Sequence, residues 1–239
     1  MIGRAAKRVA STGAAAVLLV VAFVATAPGG AGAVDTMSPG SPQGNVTPTL
    51  QTTTGVAVVA QSAPVDGQVA LLLHNGTTKP VRVDLVTGVA TRTDGGQAVR
   101  TRSVKTYPQV LAPDQLALAS VTFRTKSLTP GATITAKVRS TPVTAARAQR
   151  VVSVSGLVLS APLTGPVAQT MRATVSNATT SWTAKLPEVA VMCFGEAATP
   201  TTFASAKASV RRIAPGKTAS ASVPLSLLCP TYLVAARAS

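Results

Sequence analysis

Acid is what this chain lacks most. Only seven Asp and Glu stand against 22 Lys and Arg in 239 residues. The seven, Asp35, Asp66, Asp84, Asp94, Asp114, Glu188 and Glu196, show no spacing that suggests a glycosidase pair or a calcium loop. Histidine is nearly absent as well. A catalytic histidine needs a nucleophile or an orienting carboxylate, and His74 stands alone. No Gly-x-Ser-x-Gly, His-Glu-x-x-His or phosphate-binding glycine loop is present. Two cysteines and one distant histidine cannot supply four zinc ligands. The expectation is therefore a non-catalytic protein without a cofactor. An enzyme would need acids that converge only in space, at a domain interface.

Aromatics make up 3% of the chain. Sugar-binding and single-strand nucleic-acid surfaces usually offer stacking platforms. Trp182 is the one residue of that size, and it is expected in a core. The basic residues are not interleaved with aromatics, which argues against specific nucleic-acid reading.

Long apolar runs are missing except at the start. Arg4, Lys7 and Arg8 precede an apolar run over 14–27, and Ala31-Gly32-Ala33 is a small-x-small cleavage site. This order predicts a signal peptide over 1–33 and a secreted or cell-envelope protein. The alternative is an uncleaved anchor, which would be the only membrane contact. Cleavage leaves 19 basic and seven acidic residues, a net +12. Such a charge favours anionic surroundings, whether envelope polymer, lipid headgroup or nucleic acid. The plainer reading is a solvated basic surface. The Ala/Val/Thr/Gly/Arg-rich usage resembles that of high-GC actinobacterial genomes.

What is present is a repeat. Asn75-Gly76-Thr77-Thr78 returns as Asn177-Ala178-Thr179-Thr180, Leu111-Ala112-Pro113 as Ile213-Ala214-Pro215, and Pro64-Val65 as Pro166-Val167, each offset by 102 residues. A constant offset means two copies of one domain. Residues 34–54, rich in Pro, Gly, Ser and Thr, read as a flexible low-complexity segment. The copies then span 55–144 and 150–239. Between them, 145–150 can form a single helical turn.

Both copies read as β. Val56–Val59, then Val69, Leu71 and Leu73 at period two, end at the turn Asn75-Gly76. The same alternation puts His74 outward, beside the turn. Val81, Val83 and Leu85 continue beyond it, Asp94-Gly95-Gly96 is a hairpin turn, and 98–106 is a strand with basic alternate positions. The Asn-x-Thr tripeptides at 75 and 177 share one repeat position, so they are read as turn chemistry and not as glycan acceptors. The turn spacing suggests sandwiches. On Leu73-His74-Asn75-Gly76-Thr77, Asp94-Gly95-Gly96, Leu111-Ala112-Pro113-Asp114, Val175-Ser176-Asn177-Ala178-Thr179 and Ile213-Ala214-Pro215-Gly216, each copy resembles the FxLYD-type immunoglobulin-like module of secreted bacterial proteins. The aromatic segment that names that family is missing. The resemblance implies an all-β chain of two tandem immunoglobulin-like β-sandwich domains with a scaffold or binding role and no active site.

Two further expectations follow. Cys193 and Cys229 both lie in the second copy, and export with an even cysteine count favours a disulfide; the alternative is two buried thiols. Residues 121–127 and 133–139 read as a hairpin across Thr129-Pro130-Gly131-Ala132. It would place Phe123 against Val138 and Arg124 opposite Lys137, with Lys126 and Arg139 beside them. Like charges opposed on a sheet repel, so Arg124, Lys126, Lys137 and Arg139 form a candidate polyanion site. Its partner would be an anionic envelope component; another envelope protein is the alternative for a scaffold.

Overall fold

A computed structural model describes residues 39–47, 54–91, 99–124, 128, 132–161, 169–195 and 198–239. The expected signal segment, the Asp94-Gly95-Gly96 turn and Lys126 lie outside these residues. The described chain is all-β, with antiparallel sheets and one four-residue helix. A short strand β1 (Gln43–Gly44) comes first. The first repeat follows with β2 (Val56–Gln61), β3 (Gln68–Asn75), β4 (Val81–Thr91), β5 (Val99–Ser103), β6 (Thr106–Tyr107), β7 (Val110–Leu111), β8 (Leu116–Thr122) and β9 (Thr133–Pro142). Helix α1 (Ala145–Ala148) forms the expected turn between repeats. The second repeat has β10 (Ser153–Ser160), β11 (Gln169–Ser176), β12 (Ala184–Lys185), β13 (Glu188–Phe194), β14 (Pro200–Lys207), β15 (Arg212–Ile213), β16 (Thr218–Leu225) and β17 (Thr231–Arg237).

The 102-residue offset is visible in the hydrogen-bonded ladders. Val69 pairs with Val121, and Met171 with Val223. The bridge from Thr106 to Ala119 returns as Ala208 to Ala221. In the first repeat, sheet β2-β3-β8-β6 faces β4 and its partners β5, β7 and β9. Val69, Leu71, Leu73, Val83, Val86 and Phe123 fill the space between. In the second, β10-β11-β16 faces β1-β17-β13-β14 across Met171, Val175, Val191 and Val223. A bulge between Val83 and Leu85 turns Val86, and not Leu85, into the first core.

A third core lies between the repeats. Ala70, Leu72 and Leu118 pack against Ala190, Met192, Phe194, Leu233 and Ala235, with Tyr107 and Phe203 at its edge. The layers are therefore four, and the two middle sheets are covered on both faces. Strands of that kind read as continuous apolar runs, as Val69–Leu73 and Val189–Phe194 do. The outer strands β4, β9 and β16 keep the alternation, which only the bulge in β4 interrupts.

Three expectations change here. His74 is not exposed: it shares its face of β3 with Ala70 and Leu72, that face is covered, and His74 is 2% accessible. Its Nε2 lies 2.9 Å from Asp114 Oδ1. The hairpin over 121–139 does not form. β8 pairs with β3 and β6, whereas β9 crosses to the other sheet and pairs with β4. Finally, part of the segment 34–54 is seated. Residues 43–44 pair with β17, Asn45 bonds Pro230 and Tyr232, and Gln115 reaches Ser41. A Cβ at Gly44 would fall 2.0 Å from the Tyr232 carbonyl oxygen, so only glycine fits there.

The repeated tripeptide is a buried clamp. Asn75 and Asn177 are 0% and 1% exposed. The Asn75 amide donates to Ala112 O at 2.8 Å, and its oxygen accepts from the Thr77 amide and hydroxyl. Its own backbone bonds Gln115 and Asp114. Asn177 repeats this with Ile213 O at 2.9 Å, Thr179, Lys217 and Gly216. The clamp fastens the end of one strand to the Ala-Pro corner before the next. Each corner needs a left-handed residue after proline, as a type II turn does: Asp114 has φ 61° and Gly216 φ 68°.

Asn177→Asp keeps the shape and removes the amide donor. It should destabilise the protein by about 2–4 kcal/mol, the cost of a buried carbonyl left unpaired and a buried charge gained. Chemical denaturation measures this, and Thr180→Ala, at the exposed end of the same turn, should change little.

Cys193 and Cys229 are bonded, with Cα atoms 5.2 Å apart, inside the second core. Closing a 36-residue separation stabilises by about 3–4 kcal/mol in the chain-entropy account. Cys193→Ser with Cys229→Ser should lose about that much, as chemical denaturation of the double variant against the parent protein measures.

Candidate functional site

The outer face of the first repeat carries exposed cations on two strands that flank β4. Antiparallel pairing puts directly opposed residues on the same side of a sheet. Thr87 on β4 lies between Arg102 on β5 and Lys137 on β9. Val89 lies between Arg100 and Thr135, and Leu85 opposite Arg139. The alternate positions point into the core, because Val86, Gly88 and Ala90 are buried there. Arg100, Arg102, Lys137 and Arg139 are therefore exposed together on one face. Neighbouring strands lie about 4.8 Å apart, so Arg102 and Lys137 stand about 10 Å from each other across Thr87. That is close to one Debye length at physiological salt.

One carboxylate shares the face. Asp84 accepts a bond from Arg82 Nε at 2.7 Å and another from the Thr141 hydroxyl. The Thr141 bond, then Arg82 and the charge of Arg139, hold Asp84 below the ordinary carboxylate range despite some burial. Asp84 is thus ionised and engaged with Arg82, while Arg100, Arg102 and Lys137 have no ion-pair partner among the described residues.

Of the four residues expected to form a polyanion site, the structure joins two. Lys137 and Arg139 share the exposed face of β9. Arg124 is exposed just beyond β8, on the layer that pairs with β3, and Lys126 lies outside the described residues. The cations that complete the face are Arg100 and Arg102. The alternating basic strand over 98–106 announces their direction, but nothing local announces β4 as the strand that brings them beside Lys137.

A second polar cluster closes the seam between repeats. Glu188 accepts from Lys105 Nζ at 3.0 Å and from the Tyr107 hydroxyl at 2.9 Å. Arg237 lies 5.8 Å from the Tyr107 ring centre. Burial and the adjacent Glu188 charge push the Tyr107 hydroxyl up to about 12, so it remains a donor. Burial raises Glu188, but its bonds from Lys105 and Tyr107 and the charges of Lys105 and Arg237 outweigh this and leave it below the ordinary range. Of the four described acids, Asp66, Asp84, Asp114 and Glu188, the last three each hold a structural contact. Among the described residues no group of three His, Cys, Asp or Glu gathers as a metal site.

A carboxylate whose folded pKa is depressed stabilises the fold above its ordinary pKa, 4.5 for Glu188. That stabilisation is lost as pH falls through the lower folded value. Melting temperature should therefore drop as the pH is lowered below that ordinary value. Glu188→Gln should melt lower at neutral pH and show a shallower acid decline. An acid decline identical to that of the parent protein would remove Glu188 from the seam's stability.

No protein-family model matches the chain, and no curated protein matches it.

Proposed function

We propose that this is a secreted or envelope-associated, non-catalytic binding protein made of two tandem immunoglobulin-like β-sandwich domains. Its task is to hold an anionic envelope polymer against the β5–β4–β9 face. The observation that carries this reading is the set Arg100, Arg102, Lys137 and Arg139 on one exposed sheet face, floored by Thr87, Val89 and Thr135. Four like charges this close repel one another and gain from a polyanion that releases its counterions on binding. Two supports are structural. Each repeat has two sheets around its own core, as an immunoglobulin-like module does. The buried Cys193–Cys229 disulfide suits an oxidising compartment. Lipid headgroups carry the same phosphate chemistry, but a flat face of short Thr and Val between cations suits an extended chain.

The test is binding of linear polyphosphate, a phosphodiester-polymer mimic, across a salt series. Affinity should fall steeply between about 50 and 200 mM salt. Arg102→Glu with Lys137→Glu should weaken binding tenfold or more, while Arg172→Glu on exposed β11 should not. Vesicles of anionic lipid form a parallel arm. Equal losses in both variants, or binding indifferent to salt, would overturn the reading.

A further inference from the structure

We propose that the groove at the junction of the two repeats binds a sugar unit carrying a negative charge, and so gives the polymer track a specific contact; this rests on the polyanion reading above. Two hollows of about 470 and 540 Å³ adjoin there and share Ala146, Arg150 and Trp182. Each is within the range of small-ligand sites, about 300–1,000 Å³. They adjoin along these residues as a groove, and Arg82, on the outer face of β4, lines its first part. Its first wall is Arg82 and Val110, opposed on β4 and β7. The linker adds Arg147 and Arg150, and the second repeat adds Trp182.

The charged side chains that line this groove are all basic, and Ser239, whose α-carboxyl group is the one acid beside them, is held by the Lys185 amide. Arg82 gives its Nε to Asp84 and leaves its side chain 33% exposed. Arg147 and Arg150 are exposed and have no ion-pair partner among the described residues. No Asp or Glu side chain lines either hollow. Helix α1 buries none of its residues. Its four residues are too few to be stable alone, so packing explains neither Arg147 on it nor Arg150 just beyond it. Planar guanidinium groups match carboxylate and phosphate oxygens two bonds at a time.

Trp182 supplies a surface for a ring. It is the one tryptophan in the chain, and it departs from the repeat. The equivalent carbonyl on the first clamp belongs to Lys79. Asn177 Nδ2 and Thr179 Oγ1 hold the Trp182 carbonyl at 2.8 and 2.9 Å. Half-buried, the side chain packs against the second core while the residue lines both hollows. An indole that lines both hollows, on a backbone held by the clamp, with Arg82, Arg147 and Arg150 lining the same space, fits a pyranose ring with an adjoining anion, either a uronate carboxylate or a sugar phosphate.

The emission of Trp182 reads this directly. The full-length protein is titrated with a uronic-acid oligomer and with glucose 6-phosphate. A neutral glucose oligomer, adenosine monophosphate and linear polyphosphate serve as comparisons. At least one charged sugar should give a saturable emission change, and which one responds separates a carboxylate from a phosphate source. Arg147→Ala with Arg150→Ala should weaken it tenfold or more without altering the melting temperature, since both side chains are exposed. Trp182→Phe, followed by calorimetry, should weaken it as well. The neutral oligomer should have no effect. An equal response to polyphosphate or to the nucleotide would overturn the sugar assignment. No response to either charged sugar, with polyphosphate still bound by the sheet face, would overturn the groove and leave the polyanion reading standing. A sugar response with no polyphosphate binding would do the reverse.

Discussion

Each repeat hangs on one buried asparagine. Asn75 and Asn177 use side chain and backbone together to tie the end of a strand to the Ala-Pro corner that starts the next. A buried amide is costly unless its bonds are met, and here both amide nitrogen and oxygen find partners. That condition fixes where β3 ends relative to β8, and β11 relative to β16. The two ladders accordingly share one register, displaced by the repeat length. The second clamp does one thing more: it anchors the carbonyl of Trp182 and so sets one wall of the junction groove.

Burial on two faces is the next constraint. Once β3 packs against β13 and β17, the middle sheets can carry almost no charge. The exception is the seam, where Glu188 is neutralised by Lys105 and bonded by Tyr107. On the middle sheets cations stand only at strand ends, as Lys207 and Arg237 do, and many of the others fall on the outer sheets and the linker. On the first repeat they fall on one face, because β4 has β5 on one side and β9 on the other, and both of those strands alternate a cation outward. Acid is too scarce in the sequence to neutralise that face, and Asp84 is held by Arg82 and Thr141. Scarcity of acid, read first as a bar to catalysis, thus becomes the basis of the proposed binding surface.

The repeat, the corners and the outer strands were legible because they depend on local chemistry. Asn-x-Thr and Ala-Pro recur at a fixed offset, and period two shows wherever one face meets water. The middle sheets were half legible. Val69, Leu71 and Leu73 gave the alternation, while Ala70 and Leu72 between them carried the sign of a second covered face, and His74 belongs to that series. The hairpin between β8 and β9 was misread because a Pro-Gly turn signal between adjacent strands suits a hairpin and a crossing between sheets equally well. Pairing between β4 and β9 joins residues such as Thr87 and Lys137, far apart in the chain, and no short-range pattern encodes it. The groove was out of reach for the same reason: Arg82, Arg150 and Trp182 come from three separate segments.

The two repeats form one four-layered body with a shared core, and the junction groove depends on it. Native-state hydrogen exchange tests it most directly. Amides of β3 in the first repeat and of β13 in the second should exchange last and with the same free energy, as one cooperative unit. Distinct opening energies for β3 and β13, with either repeat exchanging while the other stays closed, would contradict it.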